Sequence, residues 1–361
     1  MTNETIATVR TMKAAVYYGA HDVRVERVPI PTPKSGEALV RVLRCGVCGT
    51  DASEWSAGPI MFAVDKQHRV SGHQGPMIPG HEFIGEIVTA PPESGLATGD
   101  LVASGAGVSC GHCPRCLEGR TNICENYYTL GLNTNGGLAE YVASPTQVLV
   151  RIPAGIPLDR AGLAQPLAVG LHAARQARVI DGDHVVIIGA GVIGSLILMG
   201  LLHLHSDLDV TVVDFAGPKL QRAMEIGATR TIEPSNALAS EVRNAIGARG
   251  ADVTIEASGA PGQLTMAIAL TRSGGTVLAV GLPKRPPEVD VHDLIVREIT
   301  MMSTNAHVCA VDMPEALALL GDRLPAELVF DSVVSLDDVA ATLDRLASGS
   351  LDGKVLIDPS L

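Results

Sequence analysis

Residues 184–195 read "HVVIIGAGVIGS", and the reading of this stretch decides the fold. A β-branched run, Val185–Ile188, stops at three glycines in the pattern G-x-G-x-x-G, and an apolar, helix-compatible run resumes at once. Glycine lets a strand turn tightly into a helix and lets the backbone approach a pyrophosphate, which the helix N-terminus favours electrostatically. The pattern alone is a weak signal. Here it has its strand, its helix and an acidic residue, Asp214, ending the next apolar run "DVTVVD" twenty positions after Gly194. Gly189, Gly191, Val192, Ile193 and Gly194 are therefore expected to hold a dinucleotide. Asp214 would accept hydrogen bonds from its ribose and repel a 2′-phosphate. Phe215 and Ala216 follow, offering no cation to such a phosphate, so NAD is expected over NADP.

Outward from this turn, "HVVIIG", "DVTVVD", "ATRTIE", "ADVTIEAS" and "GTVLAVG" alternate with helix-like runs such as "PKLQRAMEIGA" and "QLTMAIALTRS". That alternation predicts a doubly wound parallel sheet, an α/β Rossmann architecture, with "EITMMST" as a sixth strand. Toward the N-terminus, residues 13–150 break into short strands separated by Gly and Pro, which predicts a β-rich domain, a barrel or a close relative. After residue 303 a helical segment and a last strand, "KVLID", are expected to return to the first domain. The expected organisation is 1–160, 161–303 and 304–361.

The chain has 361 residues, 46% hydrophobic, with 27 basic against 39 acidic residues. A formal charge of −12 disfavours nucleic acid or an anionic membrane as partner. The apolar stretch at 185–202 has the length of a membrane span, but its glycines fall where a strand becomes a helix. The start, "MTNETIATVRTMKAAV", lacks a basic and then apolar leader pattern, so a cytoplasmic, reducing setting is expected. In that setting clustered thiols are metal ligands more often than disulfides. Four of the seven cysteines, Cys110, Cys113, Cys116 and Cys124, follow C-x2-C-x2-C-x7-C. Such spacing aims sulfurs at one centre, and four thiolates close the tetrahedral shell of Zn²⁺. The site would fix a loop and carry out no chemistry; redox-active or buried thiols and an iron–sulfur cluster are the other readings. A second constellation is scattered: "CGVCGTDASEW" at 45–55, "PGHEFIGEI" at 79–87 and "AQPLAVGLHA" at 164–173. Cys, His and Glu are suitable donors for a catalytic zinc with an open position. Spacing alone does not choose between Cys45 and Cys48.

Together, C-G-T-D at 48–51, G-H-E-x-x-G at 80–85, the four cysteines and G-x-G-x-x-G resemble the zinc-dependent medium-chain alcohol dehydrogenase family, over nearly the whole chain from about Lys13. The resemblance implies a GroES-like barrel beside the Rossmann domain, two Zn²⁺ per chain, NAD, and a homodimer or homotetramer. It implies Cys48, His81 and Glu82 as ligands of the catalytic zinc and leaves Cys45 a small buried residue. Gln165 stands where diol and polyol dehydrogenases of the family usually carry Glu, and would be a neutral ligand or near-ligand. Asp51 would orient His81. Thr50 would take the alcohol proton, and Ser53 stands where the relay often has a histidine. Lys219 matches a basic position that holds the ribose.

The implied activity is hydride transfer from a small-molecule alcohol, a secondary alcohol or vicinal diol, to NAD. A sugar, polyol, cyclitol or amino alcohol is the alternative substrate. A nucleotide-binding zinc protein without turnover would not need Cys48, Thr50, His81 and Glu82 together. Trp55, Met61 and Phe62, in the long stretch between Cys48 and His81, are candidates for a pocket wall.

Overall fold

The computed structural model describes residues 10–322 and 324–361. The N-terminal stretch 1–9, read above for a leader, lies outside the described residues. The chain forms two compact units, 1–165 with 332–361, and 166–331.

In the first unit β1 (Thr11–Gly19) and β2 (Asp22–Pro29) pair antiparallel. The next strand, β3 (Glu37–Gly46), buries Ala38, Val40 and Val42 while the residues between them stay more open. That period of two is the mark of a strand with one face on the core. Helix α1 (Gly49–Ala57) follows directly, and then β4 (Glu82–Thr89) and β5 (Leu101–Ser104) extend the sheet beside β3. Short strands β6 (Gly107–Val108) and β7 (Tyr128–Thr129) flank a lobe containing helix α2 (Pro114–Leu117). Strands β8 (Tyr141–Pro145) and β9 (Leu149–Arg151) pair with β3 and β5, and helix α3 (Leu158–Ala161) leads out.

Helix α4 (Ala164–Gln176) crosses into the second unit. There β10 (His184–Ile188), α5 (Val192–Leu204), β11 (Asp209–Val213), α6 (Pro218–Ile226), β12 (Arg230–Ile232), α7 (Leu238–Ile246), β13 (Ala251–Glu256), α8 (Gln263–Leu270), β14 (Thr271–Ala279), α9 (Val291–Val296) and β15 (Thr300–Ser303) alternate. All six strands run parallel in the order β12-β11-β10-β13-β14-β15. Val185 and Ile187 pack on one side with Ile197 and Leu220, while Val186 and Ile188 pack on the other with Val242 and Ile268. Both faces are covered, which is why these strands are apolar throughout instead of alternating. The order reverses between β10 and β13, placing Gly189 at the switch point where such sheets bind ligands.

Helix α10 (Cys309–Asp322) then leads to β16 (Phe330–Ser335), α11 (Val339–Ala347) and β17 (Lys354–Asp358). Strand β17 lies antiparallel to β3, with Leu356 opposite Gly46 and Ile357 opposite Cys45.

The unit limits fall at 165/166 and 331/332 rather than 160/161 and 303/304. Helix α10 stays with the second unit because its acids are tied to α4 and α5. Arg175 donates to Asp312 at 2.5 Å and pairs with Glu315, and His203 lies 3.2 Å from Glu315. The helix expected over "QLTMAIALTRS" ends at Leu270, where Thr271 opens β14 and donates its hydroxyl to the Ala267 carbonyl at 2.7 Å. Among the described residues no helix is long and apolar enough to cross a membrane; the run at 185–202 is β10 plus α5.

Candidate metal and cofactor sites

The four-cysteine lobe is assembled by turns alone. Cys113 precedes α2, Pro114 opens that helix, and Gly111 adopts a positive φ of 77° that a side chain would oppose. The Sγ atoms of Cys113 and Cys116 are 3.5 Å apart, Cys113 and Cys124 3.8 Å, and Cys124 and Cys110 3.5 Å. A disulfide would bring sulfurs to about 2.05 Å, and all four cysteines are free. Four sulfurs at about 2.3 Å from one ion stand about 3.8 Å from each other, so the lobe fits a tetrahedral metal. Backbone N–H groups of Cys110 and Asn126 donate to Cys124 Sγ at 3.3 and 3.2 Å. Backbone donation at His112 draws the Cys110 thiol down to about 6, while burial pushes Cys124 up to about 12.

The second cluster joins two elements. Cys48 sits at the N-terminus of α1, and His81 and Glu82 lie at the start of β4, which pairs with β3. Donor atoms of Cys48, His81 and Glu82 lie within 4.8 Å of one another. Cys45 is not among them. It is fully buried on β3, where burial drives its thiol well above the ordinary range. Of the two cysteines, Cys48 is the one whose sulfur joins His81 and Glu82 in a group that could hold a metal.

Beneath the donors, Asp51 is 2% exposed and accepts the Cys48 N–H at 2.9 Å through Oδ2. Its Oδ1 lies 3.8 Å from His81 Nδ1, and both atoms are buried without a hydrogen-bond partner. Orphaned buried polar atoms are costly. A metal on Nε2 would fix the Nδ1–H tautomer of His81 and aim it at Asp51, so the donor set fits a bound ion. Burial pushes the His81 imidazole down, but the Asp51 and Cys48 charges outweigh it and hold its pKa at about 9.

Lys354, only 4% exposed, donates to Glu82 Oε2 at 2.7 Å, to Oε1 at 3.0 Å and to the Val47 carbonyl at 3.0 Å. Burial opposes the Glu82 charge, and Lys354 more than offsets this, so the carboxyl is held below its ordinary range. Of the other expected residues, Thr50 is half-buried in the first turn of α1, and Ser53 donates its hydroxyl to the Gly49 carbonyl at 3.0 Å. Gln165 is the half-buried second residue of α4.

At the glycine turn, Gly189 has φ 104° and donates its N–H to the Val213 carbonyl at 2.8 Å. A Cβ on Gly194 would lie 1.8 Å from the Gly189 carbonyl oxygen, so the turn closes only with glycine there. Gly191 caps α5, which places Val192 and Ile193 in its first turn. Asp214 accepts N–H from Ala190 and from Phe215, each at 2.7 Å, tying the end of β11 to the turn. Lys219 is half-buried at the start of α6.

Residues 34–154 match the alcohol dehydrogenase GroES-like domain and residues 192–348 the zinc-binding dehydrogenase domain. The erythritol/L-threitol dehydrogenase of Mycolicibacterium smegmatis is 32% identical over 97% of this chain and 98% of its own length. The chain belongs to the zinc-dependent medium-chain alcohol dehydrogenase family. It is therefore an oxidoreductase that works with zinc and NAD(P). The (R,R)-butanediol dehydrogenase of Bacillus subtilis is 31% identical over 97% of this chain and all of its own. The crystal structure of 2R,3R-butanediol dehydrogenase from Bacillus subtilis superposes with a TM-score of 0.87 at 28% identity, covering 96% of this chain and 99% of the other.

Two residues of this dehydrogenase escaped the sequence reading. Lys354 reads as the first residue of an apolar strand, and only the pairing of β17 with β3 brings it to Glu82. Arg222, 7% exposed on α6, donates to the Ala190 carbonyl at 2.9 Å and to Ser195 Oγ at 3.3 Å, bracing the glycine turn from behind. Conversely, Trp55 and Phe62 are core residues: Trp55 donates to Asp344 at 2.9 Å, and Phe62 packs edge-on against Tyr17. Of the three candidate wall residues only Met61 is exposed.

Proposed function

We propose that this chain oxidises a secondary alcohol or vicinal diol to the ketone with NAD. The observation that carries the reading is the donor set of half-buried Cys48 with buried His81 and Glu82, with the Thr50 hydroxyl two positions beyond Cys48 in the first turn of α1. These residues, with Gln165 as a neutral neighbour, would hold a zinc ion, which would supply Lewis acidity of the kind that lowers the pKa of water from about 15.7 to about 7. Thr50 accepts the alcohol proton. Asp51 holds His81 in the tautomer that leaves Nε2 free. Ser53 donates its hydroxyl hydrogen to the Gly49 carbonyl, which cannot pass a proton on, so the route outward from Thr50 runs through solvent or cofactor hydroxyls. The four-cysteine lobe would hold a second zinc, with four thiolates leaving no position for substrate.

NAD is favoured because Asp214 ends the strand beside the glycine turn and is followed by Phe215 and Ala216, with no adjacent cation for a 2′-phosphate. The two relatives that act on butanediol and on erythritol or threitol support a short vicinal diol. No disulfide is formed among the described residues, which suits the cytoplasm. Edge strand β15 and the exposed Val291, Ile295 and Val296 of α9 favour a homo-oligomer.

A panel of diols, polyols, sugars and amino alcohols with NAD and NADP, read by absorbance of the reduced cofactor, tests the reading. The expected result is highest kcat/KM for a short vicinal diol with NAD. Turnover confined to amino alcohols or sugars would overturn the substrate assignment.

A further inference from the structure

Glu54 is a charged side chain only 1% exposed, and it is not part of the metal cluster. Its carboxylate accepts three successive backbone N–H groups: Ile60 on Oε2 at 2.8 Å, and Met61 and Phe62 on Oε1 at 2.5 and 3.3 Å. Successive N–H groups around one anion form a nest, an arrangement that more often receives a bound ligand. Here the protein supplies the anion itself.

The rest of the turn is fixed with equal care. The Tyr17 hydroxyl donates to the Glu54 carbonyl at 2.9 Å, and burial, followed by the Glu54 charge, keeps that hydroxyl protonated. Any Cβ on Gly58 would lie 2.4 Å from both Glu54 Oε2 and the Tyr17 oxygen, so a side chain there would dislodge the carboxylate. Asn133 donates to the Met61 carbonyl at 3.2 Å. Phe62 goes into a cluster with Tyr17, Met77 and Leu132. What this framework leaves outside is apolar: Ile60 is 64% and Met61 44% exposed. A turn pinned by a buried carboxylate, yet presenting two large hydrophobic side chains, is built to display them.

Its place on α1 says to what. Asp51 and Glu54 are three residues apart and share one helix face. Asp51 serves His81, and Glu54 serves the 60–62 turn. Glu54 lies six positions after Cys48, about 9 Å along the axis, so the turn is anchored to the same helix that Cys48 caps. We propose that Glu54 is a positioning residue for substrate selection, holding Ile60 and Met61 as the apolar wall that meets the carbon skeleton of the alcohol. This rests on the alcohol dehydrogenase reading and adds the residues that choose among alcohols.

The test compares E54Q and the double variant I60S/M61S with wild type on two alcohols that wild type oxidises and that differ by one methyl group, such as 2,3-butanediol and 1,2-propanediol. Gln keeps the size of Glu but presents an NH2 to a backbone N–H. Both variants should cut the preference for the larger alcohol about ten-fold, through KM, with kcat changed less than about two-fold. Amide hydrogen exchange at 60–62 should accelerate in E54Q and stay at the wild-type rate in I60S/M61S. Accelerated exchange in E54Q with an unchanged preference would overturn the proposal by reducing Glu54 to a structural role. An unchanged preference in I60S/M61S would overturn it even if E54Q failed to fold. Wild type that oxidises none of the alcohols sinks the functional reading itself, and this inference with it.

Discussion

Cys110, Cys113, Cys116 and Cys124 reach one another within fifteen residues, whereas Cys48 meets His81 and Glu82 across a long insertion, and Glu82 is held by Lys354, 272 positions away. The lobe needs only local geometry, with Cys113 and Cys124 buried and Cys110 and Cys116 half-buried. The second cluster is buried: His81 is 6% exposed, Glu82 2% and Lys354 4%. Four thiolates would close the shell of a metal in the lobe, so that metal would act as a mechanical fastener. The buried cluster has strong fields, because charges interact more strongly away from solvent. On the proposed reading, the difference teaches that a closed local site stabilises, while a site assembled from distant strands carries the chemistry and depends on the first unit.

Substitutions can break this comparison. The largest effect is expected from Cys48→Ala, which should lower kcat/KM at least about 1,000-fold in NADH-formation assays while the melting temperature moves by only a few degrees. Next comes Lys354→Met, which leaves the Glu82 carboxylate buried without its cation. Equilibrium unfolding should show a loss of about 3 kcal/mol, and activity should fall about 10- to 100-fold as the site loosens. Asp51→Asn is expected to lower catalytic-metal affinity about ten-fold, measured by competition with a chelator, because His81 loses the acceptor for its second ring nitrogen. The smallest effect on chemistry is expected from Cys113→Ser. The melting temperature should drop by roughly 10 °C while kcat of the folded protein stays within about two-fold of wild type. Equal losses of activity in Cys48→Ala and Cys113→Ser would erase the distinction.

The same contrast explains what could be read in the sequence. The glycine turn and the four-cysteine lobe are local, and each was visible as spacing: Gly189 and Gly194 are there because a positive φ and a close carbonyl forbid side chains. Strands β10, β11 and β13 declared themselves as short apolar runs because both sheet faces are covered. Long-range placement was less legible. Cys48 could be chosen over Cys45 only through family resemblance, since a one-turn offset decides which thiol leaves the sheet and caps α1. Lys354 and Arg222 carry no local signature; each acquires its role from a partner on a distant element. Trp55 was read as a candidate pocket wall, but the structure continues α1 through Glu54 and Trp55 and buries both. Helix α10 was assigned to the returning segment, and the Arg175 pairs with Asp312 and Glu315, invisible to periodicity, hold it in the second unit instead.

Zinc analysis of wild type, Cys48→Ala and Cys113→Ser, each purified without added metal and compared with protein concentration, bears most directly on the separation of the two sites. Two zinc ions per chain are expected in wild type. One should remain in each variant, with activity surviving only in Cys113→Ser. A single zinc in fully active wild type, or an inactive Cys113→Ser that keeps its fold and one zinc, would contradict it.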